Sequence, residues 1–249
     1  MTNLHDGLQK LSSVPQHPRT VLTIGAHPDD AEFGAGATLA RWSRNGADIT
    51  ILVVTDGSKG SWDKDLDART LIDQRIREQR AAADLLGVRH CTHLDHIDGE
   101  LEYSMALRIE IALAIRTVRP DIVLTHDPWE RYQLHPDHRA TGLAAVDGVV
   151  TAREPRALVD AGLPAHRPDA ILLWSPDEPD HAEPVSEADA ATKLAALLCH
   201  SSQGVTTMGD PARGSDEREL FEMRLTEWHR SSGAQLGVGP SEIFKTLEP

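Results

Sequence analysis

The sequence predicts an α/β protein with a mostly parallel, doubly wound sheet flanked by helices. Short apolar runs, typical of buried strands, alternate along the chain with helical segments of about ten to twenty residues. The 249 residues are enough to bury one substantial core. We therefore expect a single domain over residues 20–249, preceded by a polar arm at residues 1–19.

Each element has a local signal. Gly87 is a C-cap for the second helix, Pro120 stops the third, and Pro136 is compatible with the first turn of the fourth because its missing N–H is unpaired there. Residues 175–184 and 203–217 are acidic or glycine-rich and are predicted to be loops. The predicted strands lie at residues 20–26, 48–55, 89–94, 122–125 and 170–174, and the predicted helices at residues 33–44, 68–86, 105–118, 135–152 and 187–198.

The composition excludes several classes of protein. Acidic residues outnumber basic ones 39 to 25, and a net charge of −14 argues against a nucleic-acid partner; its simplest role is solubility. No apolar run approaches the roughly 20 residues of a membrane-spanning helix. Residues 1–19 lack the apolar core of a signal peptide, and Cys91 and Cys199 are expected to be reduced thiols. We expect a cytoplasmic protein, and a homo-oligomer is compatible with the sequence.

Polar side chains follow the predicted strands where each strand ends. In parallel sheets, ligands bind beyond the carboxyl ends of the strands. Because these residues share that edge, it is the expected position of the functional site. They are His27, Asp29 and Asp30, then Asp56, Asp95 and Asp98, then His126 and the segment His135–His138.

Two His/Asp motifs at this edge predict a metal site. His27 and Asp30 offer an imidazole nitrogen and a carboxylate oxygen, both of which bind zinc, and His138 shares a helix face with His135. Each motif also has an ordinary interpretation, as a turn with an Asp N-cap or as a helix start. Three protein ligands and an open position are typical of catalytic zinc. We expect about one Zn²⁺ per chain, held by His27, Asp30 and His138.

The remaining groups predict hydrolytic chemistry. Zinc lowers the pKa of its bound water to about 7, so attack of that water on an amide is feasible at neutral pH. Asp29 is the expected general base, and His135 is the expected stabiliser of the oxyanion. Asp137 is a candidate for holding the His135 ring and favouring its protonated form, although a plain first-turn carboxylate is an equal alternative. A serine nucleophile is disfavoured because no Gly-x-Ser-x-Gly motif is present.

The order of these residues resembles the LmbE-like, or PIG-L, de-N-acetylase family over about residues 20–203. Two departures stand out: Gln133 and Tyr132 do not match a tyrosine that some members place before the second motif, and Ala31 separates Asp30 from Glu32. The matching motifs are Ala26–Asp30 with Gly34–Leu39, Thr55–Gly57 with Lys59-Gly60, Arg75 and Glu78 with Leu86–Val88, Asp98-Gly99 with Leu101, Arg119–Asp121, His135–His138, and Lys193–Leu197 with His200–Gln203.

The resemblance implies a Rossmann-like fold and zinc-dependent deacetylation of N-acetylglucosamine-type sugars, with the ligands and catalytic residues given above. It also implies that Arg75 and Asp98 contact sugar hydroxyls. From the residues alone, Arg75 is more simply a solvated charge on its helix, and Asp98 a turn residue. His93, His96 and His126 are candidates for supporting the site, but lone histidines are usually ordinary residues. His200 is a candidate either for approaching the site or for anchoring the C-terminal region.

The sequence therefore predicts a hydrolase that removes an N-acyl group, in the favoured case N-acetyl, from an amino sugar or similar small metabolite. Two alternatives remain: an amidase acting on a larger thiol-metabolite or natural-product glycoconjugate, and a non-catalytic, metal-dependent sugar-binding protein. Asp29 favours turnover, because a binding protein needs no base beside its metal. The loops at residues 58–67, with Trp62, and 129–132 are candidate lids over the substrate.

Overall fold

The computed structural model describes residues 14–204 and 215–249. Residues 1–13 of the predicted arm and most of the predicted loop at 203–217 lie outside the described residues. The strands are β1 (Thr20–Gly25), β2 (Asp48–Thr55), β3 (His90–His96), β4 (Ile122–His126), β5 (Ala170–Trp174), β6 (His181–Pro184) and β7 (Ser241–Leu247). The helices are α1 (Asp30–Arg44), α2 (Ala68–Leu86), α3 (Met105–Val118), α4 (Pro136–Arg153), α5 (Glu187–Leu197) and α6 (Ser215–Gln235).

These strands form one sheet in the order β3-β2-β1-β4-β5-β7-β6. The five strands from β3 to β5 are parallel, whereas β7 pairs antiparallel with both β5 and β6. The chain builds outward from β1 to β3 and then returns to add β4 on the other side of β1. The strand order therefore reverses between β1 and β4, the point where open α/β sheets bind ligands. The predicted α/β fold class is confirmed.

The central strands of the sheet, β1, β2, β4 and β5, are buried on both faces. Alternate residues of β2 face opposite sides, so Ile51 and Val53 pack with α1, α2 and α5, while Leu52 and Val54 pack with α3 and α4. Burial on two faces explains why these strands are continuous apolar runs in the sequence. No helix in residues 14–204 or 215–249 has the length and apolarity needed to cross a membrane. Cys91 and Cys199 form no disulfide.

The C-terminal part of the sheet was not predicted. Residues 181–184, expected in a loop, form the short edge strand β6, while α6 and β7 have no counterpart among the predicted elements. The sequence of α6 is strongly charged, and β6 has only four residues, so neither shows a clear hydrophobic period. Strands β6 and β7 form through pairing with distant segments. Strand β7 pairs with β5, which precedes it by about seventy residues in the chain, and β6 pairs with β7.

A buried ion pair connects β7 to α1. Helix α1 is interrupted at Ala35, whose φ is −148°, and this frees backbone groups on either side. The Glu242 carboxylate accepts hydrogen bonds from the N–H groups of Ala37 and Thr38, at 3.1 and 2.7 Å. Lys193 Nζ donates to Glu242 at 2.6 Å and to the carbonyl oxygen of Phe33 at 2.7 Å. The pair thus satisfies the backbone groups that the interruption exposes.

We expect Glu242→Ala to lower the free energy of unfolding by roughly 3–5 kcal/mol, because it leaves Lys193 buried without its counter-charge. The measurement is urea denaturation followed by circular dichroism. Asp65→Ala, which removes an exposed ion pair with Lys64, is the matched control and should leave stability unchanged. Equal stability of the two variants would contradict a structural role for the Lys193–Glu242 pair.

Candidate metal centre and active site

The site lies where the strand order reverses, between the loop after β1 and the start of α4. The loop after β1 carries His27, Asp29 and Asp30, and α1 begins at Asp30. His135 is the N-cap of α4, and Pro136 opens the helix, so His138 lies in its first turn. Parallel pairing of β1 with β4 brings the two segments together, as predicted from the sequence.

The ligand groups of three side chains converge at the spacing of a tetrahedral metal ion, with both carboxylate oxygens of Asp30 facing the histidine nitrogens. His27 Nδ1 lies 3.3 Å from His138 Nε2 and 3.5 Å from Asp30 Oδ2, and His138 Nε2 lies 3.4 Å from Asp30 Oδ1. With zinc bonds of about 2.0–2.1 Å, tetrahedral ligand atoms lie about 3.3–3.4 Å apart. The donor set therefore fits a zinc ion. Three overlapping groups of the described residues could hold a metal: His27–His135–His138, His27–Asp98–His135–Asp137 and Asp30–His126–His138. His27 and Asp30 fall in different groups, and His138 belongs to the first and the third.

Carboxylates crowd around the His27 ring. Its Nε2 lies 3.2 Å from both Asp98 Oδ1 and Asp137 Oδ2. Burial alone lowers the pKa of His27, but hydrogen bonds with Asp137, Asp30 and Asp98 outweigh it and raise the pKa to about 12. Burial lowers the pKa of His138 to about 3, so this ring is neutral, the form that binds metals. The pocket thus has an excess of negative charge that a cation would neutralise.

The sequence suggested that Asp137 holds the His135 ring, but in the structure Asp137 contacts His27 instead. Its Oδ2 contacts His27 and accepts a hydrogen bond from the N–H of Gly99 at 2.7 Å, and its Oδ1 accepts one from Leu101 at 3.3 Å. The two side chains point in different directions. His135 has an extended backbone before the helix, whereas Asp137 lies in the first turn of the helix and points toward the loop after β3. Asp137 and Asp98 therefore orient His27 from two sides.

Asp29 has an unusual backbone conformation. Its φ of +104° is rare for a residue with a side chain and costs of order 1–3 kcal/mol. Its N–H donates to Gln79 Oε1 at 3.0 Å, and Gln79 Nε2 donates to Glu32 Oε1 at 2.7 Å. Burial raises the pKa of Asp29 to about 7, although the Arg75 guanidinium opposes the shift. A network on α1 and α2 therefore holds the backbone of Asp29, and its carboxylate is near enough to Asp30 and His27 to feel their charges.

Arg75 is buried, so its interpretation as a solvated charge is wrong. Only 3% of the residue is exposed, and its guanidinium donates to the carbonyl oxygens of Pro28 at 2.7 Å and Gly57 at 3.1 Å. It also lies 3.6 Å from Asp29 Oδ2 and 4.0 Å from Asp98 Oδ2. Arg75 thus connects the loop after β1 to the turn after β2. Contact of Arg75 and Asp98 with sugar hydroxyls stays a prediction.

His135 stands beside the ligand rings. Its ring centroid is 4.4 Å from that of His27 and 4.8 Å from that of His138. Its Nδ1 is buried without a hydrogen-bond partner. Burial and the nearby His27 lower the pKa of His135, which favours the neutral ring over the protonated form expected from the sequence. A neutral imidazole still offers one N–H donor.

His126 belongs to the site, which the sequence did not establish. Its Nε2 lies 3.1 Å from Asp30 Oδ2, and its ring stacks on His138 with centroids 4.2 Å apart. Its position directly after the strand predicted at residues 122–125 was the available signal. His96 instead pairs with Glu110 at 2.7 Å. His200 is fully buried with its ring 3.8 Å from Glu32 Oε2, and neither of its ring nitrogens has a hydrogen-bond partner.

Comparison with known proteins identifies relatives of this site and fold. The PIG-L family model, described as GlcNAc-PI de-N-acetylase, matches residues 22–149. A diacetylchitobiose deacetylase from Thermococcus kodakarensis is 37% identical over 188 residues, covering 74% of this chain and 70% of that protein. The structure of N,N'-diacetylchitobiose deacetylase from Pyrococcus horikoshii, bound to an inhibitor, superposes with a TM-score of 0.85 and 29% identity, covering 100% of this chain and 94% of that one.

The fold alone does not determine the reaction. GalB, a 4-carboxy-2-hydroxymuconate hydratase from Pseudomonas putida, superposes with a TM-score of 0.74 but only 18% identity, covering 93% of this chain and 97% of that one. That likeness shows a shared architecture. The family model rests on sequence and spans the segment that carries both His/Asp motifs, and the 37% identical deacetylase matches 74% of this chain. The chain therefore belongs to the PIG-L family.

Proposed function

We propose that this protein is a zinc-dependent hydrolase that removes the acetyl group from an N-acetylated amino sugar. The observation that carries the proposal is the convergence of His27, Asp30 and His138 at tetrahedral spacing, with the buried carboxylate of Asp29 beside them. Relatives named as deacetylases of acetylated amino sugars support the substrate class. Nitrogen and oxygen donors from two histidines and one aspartate support zinc as the metal.

His27, Asp30 and His138 would hold the ion. Zinc supplies Lewis acidity, which polarises a carbonyl group and makes water acidic enough to lose a proton near neutral pH. Asp29 accepts that proton on a carboxylate oxygen as the water oxygen bonds to the carbonyl carbon. Asp29 then delivers the proton to the amide nitrogen as the C–N bond breaks, releasing a free amine and acetate. A pKa of about 7 suits a group that must both accept and donate a proton.

His135 would stabilise the charge on the carbonyl oxygen. Its ring lies beside those of His27 and His138, and its Nδ1 has no hydrogen-bond partner in the protein, so an N–H at that nitrogen would be free to donate to the carbonyl oxygen. A hydrogen bond that strengthens as the oxygen becomes negative lowers the barrier selectively. Asp137 and Asp98 would act through His27, whose ring they orient, and a cation in the pocket would offset their charge.

A larger glycoconjugate is the second candidate substrate. Three aromatic side chains are exposed on loops that follow β2 and β4, on either side of the loop after β1: Trp62 at 77%, Trp129 at 59% and Tyr132 at 87%. Exposed aromatic rings beside a polar site suit a second sugar or an apolar group. A cytoplasmic location and a homo-oligomeric state stay predictions.

We expect the zinc-loaded protein to release acetate from N-acetylglucosamine compounds, including disaccharides, in a panel that also contains non-sugar amides. Chelation should abolish the activity, and about one zinc per chain should restore it. The measurements are acetate release and metal analysis. Zinc bound without cleavage of any amide would favour the sugar-binding alternative instead.

We expect Asp29→Asn to lower kcat by roughly 10²–10⁴-fold, because the amide cannot accept the proton from water. Zinc content should be unchanged, since Asp29 is not among the proposed ligands. Asp95→Asn is the matched control: Asp95 is an exposed aspartate that also has positive φ, +58°, near the same edge of the sheet. Retention of wild-type kcat by Asp29→Asn would rule out Asp29 as the base.

We expect His135→Gln to lower kcat by roughly 10²–10³-fold with little change in KM, because a misplaced donor weakens oxyanion stabilisation. Steady-state kinetics and zinc content are measured together, with His96→Gln as the control. Loss of zinc in parallel with activity would show instead that His135 is a ligand, as two of the three overlapping groups allow.

A further inference from the structure

Trp174 and His126 lie side by side at the ends of neighbouring strands. They are paired residues of β5 and β4, and each is only 4% exposed. Trp174 Nε1 lies 3.1 Å from His126 Nδ1, and the ring centroids are 4.8 Å apart. The sequence did not indicate a role for Trp174.

The indole decides which nitrogen of His126 carries the proton. Because the Trp174 N–H is only a donor, His126 Nδ1 must accept it, and the neutral imidazole then carries its proton on Nε2. That N–H points at Asp30 Oδ2, 3.1 Å away, which is an acceptor.

The backbone N–H of Ala26 competes, since it also approaches Nε2, at 3.2 Å. With the proton on Nδ1, Nε2 would accept the hydrogen bond from Ala26. However, the Nδ1–H donor would then face the Trp174 N–H donor, and the unprotonated Nε2 would face the Asp30 oxygen, so that two acceptors meet. A proton on Nε2 leaves only the Ala26 contact unfavourable. The arrangement with one unfavourable contact is the more stable of the two.

We propose that Trp174 and His126 are positioning residues that hold the carboxylate of Asp30 toward the metal site. Asp30 Oδ2 accepts hydrogen bonds from His126 Nε2 and from the backbone N–H of His27 at 2.7 Å. Its Oδ1 lies 3.4 Å from His138 Nε2. Two donors therefore fix the rotation of the carboxylate. The inference rests on the proposed function in that Asp30 is taken as a metal ligand.

The Trp174 indole packs against the backbone of Gly34. A Cβ atom at Gly34 would lie 2.4 Å from the indole ring, a distance that real Cβ atoms do not adopt. Gly34 lies in α1 next to the interruption at Ala35. The absence of a side chain at this position lets the indole pack against the helix and reach His126. The close packing of Trp174 therefore explains why a glycine is needed at position 34 and connects Gly34 to the site.

The first test determines the tautomer in the wild-type, metal-free protein. Long-range ¹H–¹⁵N NMR of the histidine rings distinguishes a protonated from an unprotonated ring nitrogen. We expect His126 to carry its proton on Nε2, with Nδ1 unprotonated. A proton on Nδ1 would overturn the inference. This measurement needs no variant, no metal and no substrate.

The second test compares zinc affinity in two tryptophan variants. Trp174→Phe keeps an aromatic ring but removes the donor, so we expect zinc to bind roughly 10–100-fold more weakly in competition with a chelator. Trp42→Phe is the matched control: Trp42 is equally buried, and its Nε1 has no hydrogen-bond partner. Thermal unfolding of both metal-free variants separates affinity from stability.

Equal zinc affinities of Trp174→Phe, Trp42→Phe and wild type would overturn the inference. Absence of zinc binding by the wild-type protein would instead contradict the proposed function, and the NMR measurement would still decide the tautomer. Zinc binding and a weakened Trp174→Phe variant, without cleavage of any amide, would support the positioning role and contradict only the proposed reaction.

Discussion

Parallel pairing of β1 with β4 brings together two His/Asp motifs that are far apart in the chain. His27 and His138 are separated by 111 residues, yet their ring nitrogens lie 3.3 Å apart. Both strands are buried on each face, so a shift of register by one residue would move every side chain to the opposite face and disrupt the packing in both cores. The hydrophobic packing of the sheet therefore sets the spacing of the ligand atoms, and the other features of the site follow from that spacing.

The second constraint is electrostatic. Asp29, Asp30, Asp98 and Asp137 are all buried close to one imidazole, an arrangement that is unfavourable without a compensating cation. Backbone N–H groups, Arg75 and the histidine rings compensate part of this charge. Asp29 is placed by a strained backbone, which Gln79 holds from the neighbouring helix. The geometry that brings a base beside a metal site thus requires support from two helices.

Strand β7 contributes to the site although none of its residues, Ser241–Leu247, contacts the ligand side chains directly. Glu242 on β7 binds the backbone N–H groups freed where α1 is interrupted. The interruption lies beside Gly34, against which Trp174 packs, and Trp174 donates to His126. A continuous set of contacts therefore connects the antiparallel edge of the sheet to Asp30, the first residue of the same helix.

Local patterns in the sequence were sufficient for the central part of the fold. Apolar runs, caps and prolines predicted five parallel strands and the helices between them, and the rule that ligands bind at the carboxyl ends of strands placed both motifs at one edge. His27, Asp30 and His138 were candidates on residue type and spacing alone. These features depend on neighbouring residues, which is why they can be predicted without the structure.

Tertiary structure decided the rest, because it depends on contacts between distant segments. Burial of Arg75 against the carbonyl oxygens of Pro28 and Gly57 could not be inferred from a charged helix. Asp137 turned out to contact His27 instead of His135, because the direction of a side chain at a helix start depends on what packs against it. The strand β7 and the contact of Trp174 with His126 arise only when β5 gains partners on both sides. Sequence determined which groups are available for chemistry, and long-range packing determined which of them meet.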